Sequence, residues 1–489
     1  MAEPTLSQDH QPEQDTPVTR ETPDANLRTP LIKNETLRAV CETGLIVAGL
    51  IAMLVLLPHS IFGDGAVRFQ AISDLLEHAT LSNMPYSIVG PGFSIPFWLL
   101  GKVYMTPEWW LARYNLFIFA AALLVMYLLL KNRLDRGLIR KFFLILLIAS
   151  MFANHLMAYY GEVFTAMCVA IGILLLISGR SLIGWSSIVL GVINTPASIV
   201  GLGCVVLQWL LQHKRLRYLL ACIAALTWIV IEYTIRRGGI SISSYDAHLN
   251  PALHTVVPSV PPPHTVMPYS GMLGFSYPFF FGLLSILFSF GKGLFFFAPG
   301  LLLPVRGLIC QNRDRIKLDV YAVYLLWISF LVGLILVYSA WWAWYGGWFW
   351  GPRYFLFASI PASFAIALRL HYRGASFAGN LLTAAILLLS LWVGINGAIF
   401  AQQGLSICGA NRSALELLCH YTPEFSVLWH PFVANEFVKL DHHQLAYLAY
   451  SLLVFAYLAI PFLADLLRQT ISGARAFGGT YLNIGTWRF

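Results

Sequence analysis

Charge is what this sequence has least of. Only 11% of its 489 residues are charged, against 58% hydrophobic, whereas soluble domains carry about 25% charged residues. That shortage excludes a soluble core, because apolar runs of roughly 20 residues, enough to cross a bilayer, recur from Ala39 onward. Cysteine is sparse too, and the seven present form no disulfide framework. Cys41, Cys168, Cys204 and Cys222 fall in apolar runs, and Cys310 falls in a cytosolic segment. Cys408 and Cys419 share one outer loop, where an oxidising compartment permits a bond without requiring it. His248, His254, His264, His442 and His443 show no metal-ligand spacing, and no short-period repeat marks a solenoid. The net charge of +8 does not imply nucleic acid, because the basic residues sit between apolar runs, as the positive-inside rule expects.

Residues 1–38 are rich in Pro, Thr, Glu, Asp and Gln. Such a segment buries too little to offset the entropy of ordering, so a disordered cytosolic tail is expected. It does not read as a signal peptide. The first apolar run, 40–57, follows Lys33 and Arg38 and reads as an uncleaved signal anchor. Spans are then expected near 39–57, 110–130, 142–158, 163–178, 182–194, 196–211, 218–235, 293–309, 320–340, 355–369, 377–400 and 444–467, with both termini cytosolic. The reversal at Asn194-Thr195-Pro196 is the weak point, since it either separates two short spans or kinks one. Charge decides for separation. Two spans leave 18 Lys and Arg in the cytosolic segments and 7 in the longer outer ones, whereas one span puts Arg306, Arg313, Arg315 and Lys317 outside.

Four outer segments are large: 58–109, 236–275, 341–354 and 401–443. The first holds GDGAVRFQAISDLLEH, read as an interfacial helix, and GPGFSIPFWLLG, too short to span. Asp64 follows the first span, where it suits either an acceptor held at the membrane surface or an N-cap. Glu162 lies in a tight turn between spans, as a functional carboxylate or a polar turn residue. Together the two acids suit a general base with an orienting or metal-binding partner, so a divalent metal ion is possible. Glu232 and Arg236 pair one helical turn apart without any catalytic role. Lys292, between two glycines, suits a phosphate or a snorkelling anchor. WWAWYGGWFWGPRY exceeds an aromatic belt in its glycines, and Arg353 beside flat rings suits a phosphate head group bearing a sugar.

In order and placement these residues resemble the bacterial GT-C glycosyltransferases. These are the polyprenyl-phosphate-sugar-dependent group that includes protein O-mannosyltransferases and aminoarabinose transferases. The resemblance rests on Asp64 after the first span, Tyr86 with GPGFSIPFWLLG, Arg113 in WWLARYNLF, Glu162, SFGKGLFFFAPG and YGGWFWGPRYFLFASIP. It covers most of 39–370. It implies an all-α integral membrane fold, a GT-C-like bundle of about twelve spans with interfacial helices in the first outer loop. Residues 39–370 would be the catalytic module, 371–467 further spans around the outer loop 401–443, and 468–489 a cytosolic tail. It implies Asp64 and Glu162 as catalytic residues, Arg353 and Lys292 as donor-phosphate ligands, and Tyr86, Trp348 and Tyr354 as substrate contacts. The lone Asp64, and Glu where many relatives have Asp, depart from the family pattern and leave metal dependence open.

The expected activity is transfer of a sugar from a polyprenyl-phosphate donor to a glycan, lipid or protein acceptor on the outer face of the cell membrane. The Pro-rich stretch 251–268 is placed to lie over the site as a lid. Two alternatives remain. A lipid or solute transporter needs ionisable residues in mid-span, as Glu232 would be. A ligase or polymerase of the O-antigen type needs Arg and His in its outer loop, as Arg412, His420, His442 and His443 would be.

Overall fold

The structure, a computed structural model, describes residues 27–237, 274–312, 318–347, 349–373, 376–401, 406, 408, 416–434 and 439–484. Among them there is no strand, only the isolated bridges Leu27–Tyr372 and Ser60–Ala158. Seven helices are long and apolar enough to cross a membrane, and four further apolar helices are shorter. The chain is an all-α polytopic membrane protein.

The helices that frame the site are α1 (Glu35–Leu56), α2 (Asp64–His78), α3 (Tyr114–Leu130), α4 (Arg136–Ile148), α5 (Glu162–Ile177), α6 (Ser181–Asn194) and α7 (Ile199–His213). They continue with α8 (Leu219–Arg237), α9 (Phe279–Phe288), α10 (Val320–Ser339), α11 (Ser359–His371), α12 (Phe377–Ile395), α13 (Glu416–Tyr421) and α14 (His442–Ile484). Their starts carry local signals. The Asn34 side chain caps α1 through the Leu37 amide, and Asp319 caps α10 through Ala322. Side-chain oxygens there satisfy amides that the first turn leaves unpaired. The segment Arg353–His371 is 94% buried, an inner helix wrapped by others rather than one facing lipid.

Asn194-Thr195-Pro196 is a reversal. It ends α6, and a 3-10 turn at Pro196–Ser198 starts α7. The Pro196 ring removes an amide and the helix cannot run through it. One cavity collects Glu162 at the start of α5, Asn194 at the end of α6, Ala197 before α7 and Tyr233 near the end of α8. Four consecutive helices therefore meet it in alternation, as two spans require and one kinked span does not.

Four expected boundaries change. The span near 293–309 is not one helix, because the chain from 279 onward forms α9 and then short turns at Leu294–Phe297, Pro299–Leu302 and Arg306–Gln311. Gly291, Gly293 and Pro299-Gly300 interrupt it. The span near 142–158 is not one helix: Arg136–Ile148 is followed by a break, where Ser150 bonds the Leu146 carbonyl and the Phe152 amide, and then by a single turn at Phe152–His155. The expected tail is ordered from residue 27, with buried Arg28 on Asp465 at 3.0 Å and on the carbonyls of Arg369 and Tyr372. At the other end α14 runs on to Ile484, well past 467. The first 26 residues and the stretch 251–268 lie outside the described residues.

Candidate functional site

Gly63, at the end of the short connection after α1, takes a left-handed φ of +53° and turns the chain into α2, whose first residue is Asp64. A side chain there would be strained. The cap position of α2 is Gly63 and Asp64 is already the first helical residue, so Asp64 is not the N-cap. Its Oδ2 instead accepts from Arg353 Nη1 at 2.6 Å. Burial pushes the Asp64 carboxyl up, but Arg353, the Tyr86 hydroxyl and Arg68 outweigh it and hold it below the ordinary carboxylate value. Asp64 is therefore ionised at neutral pH.

Arg353 comes from the turn between α10 and α11. Gly346, Gly347 and Gly351 have φ of +78°, +76° and +65°, values that only glycine adopts freely. The turn buries Arg353 to 6% exposure and lays its guanidinium 4.0 Å from the Phe349 ring centroid. Its Nε faces Glu162 Oε1 at 3.8 Å. One cation thus lies between the two acids. Beside it Tyr354 stacks on Tyr338 with ring centroids 4.3 Å apart.

Lys292 is elsewhere. It does not line the cavity, and its ammonium donates to the carbonyls of Gly347 at 3.1 Å, Gly351 at 3.0 Å, and Phe349. Those donors are spent on the turn, so the expected phosphate contact by Lys292 has no proton left to make it. Trp348 lies outside the described residues.

The opposite wall is residues 82–88, held by the end of α8. Glu232 accepts from the Ser87 hydroxyl at 2.9 Å and the Ile88 amide at 2.6 Å, and it pairs with Arg236 at 3.2 Å. Arg236 donates to the Met84 carbonyl and Tyr233 to the Pro85 carbonyl. Glu232 is thereby a clamp for the loop that bears Tyr86. Tyr86 in turn lies under Arg68, whose Cζ is 4.9 Å from the ring centroid.

Asp64, Arg68, Tyr86, Glu162, Arg353 and Tyr354 line one cavity of about 350 Å³. The same cavity is also lined by Ile229, Val337, Phe275, Trp341 and Trp342. Its lining is therefore amphiphilic, combining charged groups with rings and branched chains. Arg68 is the residue that sequence reasoning missed. It is 7% exposed, and its Nε and Nη1 are buried without a hydrogen-bond partner among the described residues. Its only trace in the sequence is its place one helical turn after Asp64, a spacing that surface ion pairs share.

A divalent ion fits these residues poorly. Such ions take several oxygen ligands, and here the space between the two carboxylates holds Arg353. Among the described residues no three His, Cys, Asp or Glu side chains converge. Cys408 and Cys419 are bonded. The residues on which the ligase alternative leaned are away from the cavity: His420 is buried beside Tyr345, His442 and His443 are exposed at the start of α14, and Arg412 lies outside the described residues.

No protein-family model matches the chain, and no curated protein matches it. Among solved structures it is similar to the crystal structure of ArnT from Cupriavidus metallidurans bound to undecaprenyl phosphate. The two share 12% identity at a TM-score of 0.47, over 88% of this chain and 78% of that one. A likeness this loose assigns no role to any residue.

Proposed function

We propose that the protein is a membrane glycosyltransferase that moves a sugar from a polyprenyl-phosphate donor to an acceptor on the extracytoplasmic face. The observation that carries this reading is the cavity itself. A lipid phosphate has a charged head and an apolar tail, and the cavity is lined both by Arg68 and Arg353 and by Ile229, Val337 and Phe275. The two unpartnered N–H groups of Arg68 suit phosphate oxygens, because a buried donor without an acceptor is costly. The acids beside them place a carboxylate next to the carbon that would be attacked. The excess of Lys and Arg in the segments at the opposite ends of the helices supports an outward-facing cavity and cytosolic termini.

The proposed step is direct displacement. The acceptor oxygen forms a bond to the anomeric carbon, and the bond from that carbon to the phosphate oxygen breaks. The phosphate leaves with the electron pair, steadied by Arg68 and Arg353. Asp64 orients the acceptor hydroxyl and takes its proton. A carboxylate held below its ordinary value is a weak base. Its affinity for a proton rises when the donor phosphate draws Arg353 away, so the donor itself prepares the base. Glu162 keeps Arg353 within reach of both positions, and Tyr86 and Tyr354 supply faces for the sugar. No observation favours the transporter reading, since Glu232 is committed to the 82–88 loop.

The test is transfer from a radiolabelled polyprenyl-phosphate sugar by purified protein, wild type against Asp64→Ala. Turnover by wild type and none by the variant is expected. Equal turnover by both would sink the role given to Asp64.

A further inference from the structure

The last outer loop stands away from the cavity, yet its described part presses on the turn that carries Arg353. Helix α13 is tied down by the Cys408–Cys419 disulfide, whose Cα atoms are 5.8 Å apart. The next residue, His420, touches both the glycine segment around Lys292 and the turn itself. Its carbonyl accepts from the Gly291 amide at 3.1 Å, beside Lys292, and its ring lies 4.7 Å from that of Tyr345. The first contact leaves no slack, since a Cβ on Gly291 would meet the Cys419 carbonyl oxygen at 2.0 Å. Glu416 and His420 are each 4% exposed, with Glu416 Oε1 3.6 Å from His420 Nε2. Burying such groups is costly, and the transfer step gives them no task.

Lys292 carries the contact onward. Its three acceptors, the carbonyls of residues 347, 349 and 351, span the part of the turn that leads into Arg353. One of those residues, Phe349, supplies the ring under the guanidinium. Three left-handed glycines make this turn costly to order, so its shape depends on outside support. We propose that Lys292 and the disulfide-held helix α13 form a positioning unit that sets the Arg353 guanidinium against Asp64. Through it a loop that lines no part of the cavity among the described residues governs affinity for the lipid phosphate. Its binding readout rests on the lipid-phosphate reading above; its geometry does not.

The test uses full-length protein in detergent with polyprenyl phosphate as the probe. Reducing wild type with a phosphine weakens binding about tenfold, the scale on which residues that touch no ligand modulate a site, and reoxidation restores it. A Cys408→Ser/Cys419→Ser variant binds weakly from the start and ignores the reductant. Unchanged affinity, with the bond shown open by thiol labelling, overturns the role of α13. For Lys292 the readout is a double-mutant cycle with Arg353→Ala. Lys292→Met weakens binding in the wild-type background and adds less than about twofold once Arg353 is gone. Full additivity overturns the proposal. The same cycle is read without ligand in the unfolding temperature. Coupling there, with no binding by wild type, removes the lipid-phosphate reading and keeps the positioning unit, whereas additivity there removes the unit.

Discussion

Arg353 Nη1 lies 2.6 Å from Asp64 while Nε of the same guanidinium faces Glu162 at 3.8 Å, joining residues 289 positions apart. The arrangement gives one cation two anionic partners and leaves Arg68 beside them with donors unused.

Asp64→Asn keeps an oxygen that accepts from Arg353, so the protein stays folded. It removes the carboxylate, and transfer falls by about 10²–10⁴-fold, the usual weight of a general base. Affinity for polyprenyl phosphate is unchanged or tighter, because a negative charge beside the phosphate has gone. Turnover with labelled donor and equilibrium binding, measured side by side, check the two halves separately.

The pH dependence follows from the direction in which Asp64 is held. Arg353, the Tyr86 hydroxyl and Arg68 hold its native value below the ordinary carboxylate value, which in an unfolded chain is about 3.9. A lowered value means the native state favours the carboxylate, so its stabilisation is full above the unfolded value and is lost as pH falls through the native one. The difference in unfolding temperature between wild type and Asp64→Asn is therefore flat from about pH 8 to 5 and shrinks only below about pH 4. A difference that fades near neutrality would show that Arg353 does not hold Asp64 ionised.

Arg353→Ala leaves two carboxylates facing each other without their cation. Removing one partner of a buried pair costs about 3–5 kcal/mol, read as a lower unfolding temperature. Arg353→Lys keeps the charge but not the planar fork that serves two partners at once. It falls between wild type and Arg353→Ala in stability, and its loss in donor KM exceeds its loss in kcat.

Arg68→Gln separates binding from folding. Because the Nε and Nη1 groups of Arg68 have no partner, replacing it leaves stability unchanged or slightly higher. Binding of polyprenyl phosphate weakens by about tenfold, on the scale of a lost charge-assisted hydrogen bond. A large drop in unfolding temperature would show that Arg68 serves the fold instead.

Much of the architecture was legible residue by residue. Asn194-Thr195-Pro196 signalled a break because the residue before a proline is pushed away from helical geometry, and the Lys and Arg totals on the two sides favoured a reversal there, which the structure contains. Asp64, Glu162 and Arg353 stood out because charge is scarce in such a chain and costs free energy at membrane depth. The segment after residue 278 was misread because hydropathy sums over a window, and a window does not register that Gly291, Gly293 and Pro299 break one apolar run into turns. The ordered strap at Arg28 was missed for a similar reason. Its composition is polar, and its order comes from Asp465, a partner 437 positions away.

The sequence by itself determined the class of molecule, the break at Pro196 and which charged residues were out of place, because hydropathy, proline geometry and charge sidedness act over one turn or one span. Only the tertiary structure decided the pairings. It gave Arg353 to both acids, turned Lys292 from the substrate to a backbone turn, and left Arg68 with donors to spare. Those outcomes depend on distances between residues far apart in the chain, and Coulomb and hydrogen-bond energies change over an ångström.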